Sequence, residues 1–231
     1  MVTKEHILNF VLTSDEIKLM IKKAKENVEI SYRDNLRNRH PNIRFDCILR
    51  GYVGEYSIIK WLAENDIEFE ETNYVDEGES IDIDFLYKQK NLELKTSLIP
   101  DIDVTIDNAI VNRDIKLIKR KNRIEDLRGD IHMQIYYSQK RKAKDDWLEK
   151  QKIDLESEDI NYLYESLGAE AYCNSTFFVA WIDKPTLVAK INAMPENQRT
   201  WSFCGSKRLF WNCKIKDSEK PSDLIPYLNS L

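Results

Sequence analysis

The chain has few of the residues that build disulfide frameworks or zinc sites. Only four cysteines and three histidines occur among its 231 residues. The cysteine spacings fit neither a disulfide-stapled domain nor the paired Cys-x-x-Cys of a structural zinc site. We therefore expect reduced thiols packed in the interior. The four cysteines are Cys47, Cys173, Cys204 and Cys213.

Long apolar runs are missing too. Nowhere are 18 consecutive residues apolar, and the first ten residues lack the apolar stretch and small-residue cleavage site of a secretory signal. This pattern predicts a soluble, cytoplasmic protein with no membrane partner.

Glycine and proline are scarce as well, with six of each, while 42% of the residues are hydrophobic and 32% are charged. That composition is typical of a folded globular chain rather than a disordered or fibrous one. A length of 231 residues favours a single domain, 1–231, with an elaborated periphery. The net charge of −5 argues against a surface that is basic throughout, so contact with nucleic acid would need local basic stripes.

The first half of the sequence predicts two helices joined by a basic loop. Thr13-Ser14-Asp15-Glu16 is typical of a helix start, and apolar residues at spacings of three and four predict a helix over 14–32. The arginine-rich stretch 33–50 contains Pro41, which favours a loop. Gly51 then opens the second predicted helix, which ends near Glu64.

Short β-type runs follow, and helical and extended stretches alternate after them. Three successive strands imply an antiparallel meander, and the stretch after it carries isoleucines among many lysines and arginines, which indicates a basic helix. The predicted strands are 67–75, 81–87, 92–97, 131–138, 177–182 and 209–215, and the predicted helices after the meander are 112–127, 145–167 (ended by Gly168) and 185–193.

The stretch from Ile81 to Ser97 carries the chemistry. If it forms a hairpin in which Asp84 lies opposite Glu93, the apolar residues of both strands share the core face and Asp84, Glu93 and Lys95 share the other. Two carboxylates, with the carbonyl of Leu94 and water, provide the hard oxygen ligands that suit octahedral Mg²⁺, and Mn²⁺ could substitute. The ammonium of Lys95 could stabilise charge on a phosphate or help activate water.

Asp84 followed by Glu93-Leu94-Lys95 resembles the PD-(D/E)xK nuclease superfamily, which includes many restriction endonucleases and repair nucleases. The resemblance implies an α/β fold with a restriction-endonuclease-like core: a central mixed β-sheet flanked by helices, with a helical insertion and C-terminal β elements. It places the nuclease core at about 51–138, after a helical and basic segment (1–50) and before the insertion and C-terminal strands (139–231).

The resemblance also assigns an acidic residue of the first core helix to the metal site. Glu55 matches that position, so the implied metal ligands are Glu55, Asp84 and Glu93. The sequence departs from the family pattern where Ile83, rather than proline, precedes Asp84. That departure leaves Asp82 as an alternative ligand.

The tripeptide of an acid, any residue and lysine also occurs by chance. Glu16-Ile17-Lys18 and Asp114-Ile115-Lys116 fit it, but both lie on predicted helices, where residues two apart face different directions. Only Glu93 and Lys95 lie on a predicted strand. A solvated polar face with cross-strand ion pairs is the alternative interpretation of this hairpin.

Basic residues on either side of the predicted strand 131–138 could follow a phosphate backbone, although charge runs are more often solvated surface. His132 and His6 lack spaced partner ligands, which favours packed or exposed histidines over catalytic ones. The aromatic residues near the C-terminus indicate a core, with a stacking platform for an unpaired base as the alternative. The candidate DNA-binding residues are Arg113, Lys116, Lys119, Arg120, Lys140 and Arg141.

Together these features predict a Mg²⁺-dependent deoxyribonuclease that acts on double-stranded DNA. The resemblance favours a restriction endonuclease of the type II kind in a restriction-modification system, and cutting both strands with one site per chain suggests a homodimer. A structure-selective repair or recombination nuclease is one alternative. A non-catalytic nucleic-acid-binding protein on the same fold is another.

Overall fold

A mixed six-stranded sheet forms the centre of the molecule, with strand order β1-β9-β8-β6-β5-β2. In the computed structural model the described residues are 1–27, 39–71, 75–76, 79–80, 84–203 and 207–231. The strands are β1 Leu8–Phe10, β2 Glu70–Glu71, β3 Val75–Asp76, β4 Glu79–Ser80, β5 Phe85–Tyr87, β6 Lys90–Ile99, β7 Leu117–Ile118, β8 Ile131–Lys140, β9 Thr176–Asp183, β10 Thr200–Ser202 and β11 Leu209–Trp211. The helices are α1 Ser14–Asn27, α2 Pro41–Glu64, α3 Ile106–Asn112, α4 Arg141–Lys150, α5 Ile160–Ser166, α6 Lys184–Ala193 and α7 Leu224–Ser230.

The chain builds the sheet in a fixed succession. After α2, strands β2, β5 and β6 pair antiparallel, α3 crosses over, and β8 returns parallel to β6. Strand β9 then pairs antiparallel with β8 and with β1 near the N-terminus. Two smaller sheets, β3-β4 and β10-β11-β7, lie outside the central one. The fold is therefore α/β, with a mixed central sheet flanked by helices.

Hydrophobic residues cover both faces of the central sheet. One cluster joins α1 and α2 to side chains such as Leu92, Leu94 and Ile135. The second joins α3, α6 and the small β10-β11-β7 sheet to the opposite face, through residues such as Leu117 and Trp211. Glu93 and Lys95 alternate with Leu92 and Leu94 along β6, so they point to the side of the second cluster.

The start of α1 agrees with the sequence-based prediction. The amide of Thr13 donates to Glu16 Oε2 over 2.7 Å, and the amide of Glu16 donates to the Thr13 hydroxyl over 3.2 Å. This reciprocal pair satisfies two amides that the first helical turn leaves without partners. Residues 28–32 of the predicted helix lie outside the described part of the chain.

The prediction that Gly51 opens the second helix is wrong. The predicted basic loop over 33–50 is also wrong for residues 41–50, which are helical. Helix α2 begins at Pro41, because proline at the first helical position sacrifices no hydrogen bond and His40 caps the helix by accepting from Asn42. Gly54 lies in mid-helix instead. A Cβ there would lie 2.5 Å from Thr96 Cγ2, so the absence of a side chain lets α2 approach β6 closely.

The predicted basic helix over 112–127 is also wrong. That region contains the end of α3, the short strand β7 and a 3₁₀ turn, Ile124–Asp126. Ile115 and Leu117, two residues apart, are both buried, and β7 pairs with β11. The isoleucine spacing resembled a helix, but the buried positions follow the twofold period of an extended chain.

The charged stretch 145–167 forms two helices rather than one. Helix α4 ends at Lys150, and α5 begins only after Asp159, whose carboxylate accepts from the amides of Asn161 and Tyr162. Gly168 does follow the last helix, as predicted, with the left-handed φ of 57° that favours glycine. Strands β8 and β9 and helix α6 agree with their predicted positions within a few residues.

The cysteines that the structure describes are free thiols. Cys173 and Cys213 are buried as predicted, whereas Cys47 is half-buried and accepts contacts from the guanidinium groups of Arg39 and Arg50. Cys204 lies outside the described residues. In the described ranges, no helix combines the length and the apolar character needed to cross a membrane.

Candidate active site

The hairpin β5–β6 brings the carboxylate of Asp84 to the backbone of Leu94. Phe85 pairs with Leu92 and Tyr87 with Lys90, and the amide of Asp84 donates to the carbonyl of Leu92 over 3.0 Å. The regular register ends at Phe85, because the Asp84 amide bonds to Leu92, the residue that Phe85 already faces. The pairing of Asp84 with Glu93 therefore stays a prediction. Asp82, the alternative ligand, lies outside the described residues.

The apolar residues of this hairpin face the core, as expected. Phe85, Tyr87, Leu92 and Leu94 all belong to the cluster beneath α1 and α2. Half-buried Asp84 lies just before β5 begins, and its Oδ2 accepts the amide of Leu94 at 2.5 Å. The carboxylate of Asp84 thus takes the place of a strand carbonyl and lies against the backbone between Glu93 and Lys95.

Glu93 is held by two basic partners. Its Oε1 lies 2.8 Å from Lys95 Nζ and its Oε2 lies 2.8 Å from His132 Nδ1. The side chains of Glu93 and Lys95 are only 10% and 15% exposed. Burial alone would raise the pKa of Glu93, but the charge of Lys95 and the hydrogen bond from His132 hold it at about 2. Glu93 is therefore ionised at neutral pH.

His132 is the neighbour that sequence reasoning missed. It lies directly across from Glu93 in the parallel register of β6 and β8, and it is 1% exposed. Because an ionised carboxylate can only accept, His132 Nδ1 carries the proton in this bond. Its Nε2 is buried and has no hydrogen-bond partner among the described residues. The partnership depends on strand order, which no spacing along the chain reveals.

Gln134 of β8, two residues after His132, also forms hydrogen bonds to β6. It lies opposite Lys95, and its amide donates to the Lys95 carbonyl over 3.0 Å and to the Ser97 hydroxyl over 3.1 Å. Its oxygen accepts the amide of Lys116 over 3.2 Å. Gln134 is fully buried and joins β6 to the segment that leads into β7.

Glu55 belongs to helix α2 and not to the hairpin. It follows Gly54 in α2, which covers the face of β6 opposite to the Glu93 and Lys95 side chains. Burial raises the pKa of Tyr137, and the charge of Glu55 adds to that rise. Within the described ranges, no three or more His, Cys, Asp or Glu side chains are grouped to hold a metal ion, so Glu55 is not joined to Asp84 and Glu93 there.

The predicted DNA-binding residues do not line one helix. Arg113 pairs with the buried carboxylate of Asp103, and Lys119 Nζ lies 5.1 Å from the centre of the Trp211 ring. Burial, with Arg141 and Arg50 nearby, lowers the pKa of Lys116 to about 7. Arg113, Lys116 and Lys119, which the sequence predicts to contact phosphate, therefore each have neighbours within the protein.

The remaining candidates differ in exposure. Arg120 is exposed beside β7, and Arg141 is 51% exposed, with its Nε 3.8 Å from Asp145 Oδ2. Lys140 Nζ is buried and has no hydrogen-bond partner in the described part of the chain. Arg120 and Arg141 are therefore the most accessible of the six residues predicted to contact phosphate.

Comparison with known proteins does not identify the chain. No protein-family model, curated protein or solved structure matches it. The case for its function therefore depends on the geometry of the hairpin and its neighbours.

Proposed function

We propose that this protein is a metal-dependent DNA endonuclease that hydrolyses phosphodiester bonds at Asp84, Glu93 and Lys95. One observation carries the proposal: Asp84 Oδ2 accepts the amide of Leu94, the residue between Glu93 and Lys95, and Lys95 Nζ lies 2.8 Å from Glu93 Oε1. Two acids and a lysine at one point of a sheet are the groups that phosphodiester hydrolysis with a divalent ion requires.

The order of elements supports the same proposal. Helix α2, the antiparallel strands β2, β5 and β6, helix α3 and the parallel strand β8 follow one another along the chain, with the small β3-β4 pair inserted. The PD-(D/E)xK superfamily, which the motif resembles, has a core of a helix, three antiparallel strands, a helix and a fourth strand. A shared order of elements is an analogy of fold, so the site residues carry the functional argument.

The donor set fits a hard divalent ion. Glu93 is ionised at neutral pH and offers carboxylate oxygens, and Asp84 offers its carboxylate beside Leu94. Asp84 and Glu93 would hold Mg²⁺, or Mn²⁺ in its place, and the ion would polarise a phosphate oxygen and lower the pKa of a bound water. The resemblance adds Glu55 as a third ligand, and that assignment stays a prediction.

Lys95 and His132 both hold the carboxylate of Glu93, and Lys95 would in addition face the phosphate. The ammonium of Lys95 lies against Glu93 Oε1 and, in this nearly enclosed position, can stabilise the negative charge that develops on a phosphate. His132 fixes the other oxygen of Glu93 by donating from Nδ1. Such outer partners orient a metal ligand, and their loss usually weakens metal affinity or activity 10- to 100-fold.

Within this proposal, a restriction endonuclease acting on double-stranded DNA as a homodimer is our first choice. The elements after β8 would then supply sequence recognition and dimer contacts. Discrete bands from a plasmid digest would support this assignment. Activity confined to flaps, junctions or single strands would support a structure-selective nuclease instead.

A plasmid digest with matched variants tests the proposal. Wild-type protein with Mg²⁺ should nick or linearise plasmid, and EDTA should stop the reaction. Lys95→Ala and Asp84→Asn should each abolish cleavage, and a cooperative melting transition at or above the assay temperature shows that each variant is folded. Lys90→Ala, which removes an exposed lysine from the same strand, should cleave like the wild type. Cleavage in EDTA, or equal cleavage by all variants, would refute the proposal.

A further inference from the structure

The small sheet β10-β11-β7 has an outer face made of aromatic rings. Trp201 pairs with Phe210 across β10 and β11, and Phe210 pairs with Ile118 of β7. Leu117 and Trp211 alternate with these residues and are buried in the cluster on the Glu93 side of the central sheet. The sheet is thus anchored by one face, and its other face carries Trp201 and Phe210.

Three rings on this outer face touch one another. Trp201 stacks on Phe210 with 4.7 Å between centroids and 18° between planes, and Phe203 stands edge-on to both at 4.9 and 5.4 Å. Phe210 is covered by its neighbours, but Phe203 is 41% exposed. Trp201 Nε1 has no hydrogen-bond partner among the described residues. Phe203 is therefore the exposed ring of this aromatic group, with half-buried Trp201 beside it.

Two basic runs lie side by side at the same end of this sheet. The amide of Lys119 donates to the carbonyl of Leu209 over 2.9 Å, so residues 119–121 run alongside 207–209. Their exposed basic side chains are Arg120, Lys121, Lys207 and Arg208. Neither 115–123 nor 197–216 contains a single Asp or Glu, although the whole chain carries a net charge of −5. This local charge complements a polyanion.

We propose that the outer face of the β10-β11-β7 sheet binds an unpaired DNA strand. Phe203 and Trp201 would stack on a base, and Arg120, Lys121, Lys207 and Arg208 would contact the flanking phosphates. Every base has an aromatic face, so stacking combined with phosphate contacts binds single strands without strict sequence preference. The choice of DNA as the polyanion rests on the proposed function.

Binding of wild-type protein to a fluorescent oligo-dT in EDTA, followed by anisotropy at several salt concentrations, tests this inference. Phe203→Ala should weaken binding roughly 5- to 100-fold. Arg120→Gln combined with Arg208→Gln should lower the salt slope by about 0.7 for each lost phosphate contact. Lys150→Gln with Lys152→Gln, two exposed lysines elsewhere, should bind like the wild type.

If none of these substitutions changes the affinity for oligo-dT, the inference is overturned. A wild-type dimer that Phe203→Ala converts to monomer, with unchanged oligo-dT binding, would overturn it as well, because the face would then meet a second copy. The Mg²⁺ plasmid digest keeps the two proposals separable. If the wild-type protein binds oligo-dT through this face and does not cleave plasmid, only the nuclease proposal is refuted. If it cleaves plasmid and does not bind oligo-dT through this face, only the proposal for this surface is refuted.

Discussion

Glu93 and His132 face each other across the parallel strands β6 and β8, with 2.8 Å between Oε2 and Nδ1. Both side chains are nearly enclosed, and Lys95 takes the second oxygen of the carboxylate. The orientation of Glu93 is therefore set from two sides by contacts within the protein. Preorganised carboxylates of this kind need little rearrangement to bind a cation.

Two substitutions of similar size separate a positioning role of His132 from simple packing. In His132→Asn the side-chain amide stands where Nδ1 stood and can still donate to Glu93, whereas in His132→Gln it reaches toward the position of Nε2. We expect His132→Gln to lower cleavage about 10- to 100-fold and His132→Asn to keep most of it. Equal losses in both, at equal melting temperatures, would assign His132 a packing role only.

Gly129 closes the space around this pair. A Cβ there would lie 2.7 Å from His132 Cε1 and 3.2 Å from Glu93 Cβ, so Gly129→Ala must displace one of them. We expect a loss of about 1 to 3 kcal/mol in the free energy of unfolding by urea. Gly51→Ala is the matched control, because nothing lies within 4 Å of its Cβ and alanine favours a helix by about 1 kcal/mol. Equal effects of the two substitutions would contradict the close packing at Gly129.

The low pKa of Glu93 links stability to pH. Its folded-state pKa of about 2 lies below the ordinary value of 4.5, so the ionised form is favoured by folding. That contribution is complete above pH 4.5 and is lost as the pH falls toward 2. Glu93→Gln should therefore destabilise the protein most near neutral pH, and the difference from wild type should shrink below pH 4.5. Urea unfolding from pH 7 to pH 3 measures the difference in the free energy of unfolding between wild type and Glu93→Gln. A difference that does not change with pH would exclude this linkage.

Metal substitution distinguishes binding from chemistry. Ca²⁺ is larger than Mg²⁺ and accepts looser geometry, so it should support binding of duplex DNA without supporting cleavage. Gel-shift and plasmid assays with each ion, in the same buffer, compare the two properties. Turnover with Ca²⁺ equal to that with Mg²⁺ would be incompatible with the proposed site.

The hairpin was predictable because alternation in a strand has a period of two. Once Phe85 and Leu92 were assigned to the core, Glu93 and Lys95 had to share the opposite face. The start of α2 was not predictable from the same rules. Pro41 can end one element or begin another, and only the cap at His40 decides between these outcomes.

The contacts that complete the site depend on long-range strand pairing. His132 meets Glu93 because β8 returns parallel to β6, 39 residues further along the chain. Local patterns carry no information about that register. In the same way, the isoleucines of 112–127 have a spacing that a helix would also show. Only the pairing with β11 identifies Leu117 as part of a strand.

Titration with Mn²⁺, followed by its electron paramagnetic resonance signal, tests most directly whether Asp84 and Glu93 hold a divalent ion. We predict that wild-type protein binds Mn²⁺, that Asp84→Asn and Glu93→Gln each weaken binding at least about tenfold, and that the double variant loses little more than either single one. Lys90→Ala should bind as the wild type does. Unchanged Mn²⁺ affinity in both carboxylate variants would contradict the account.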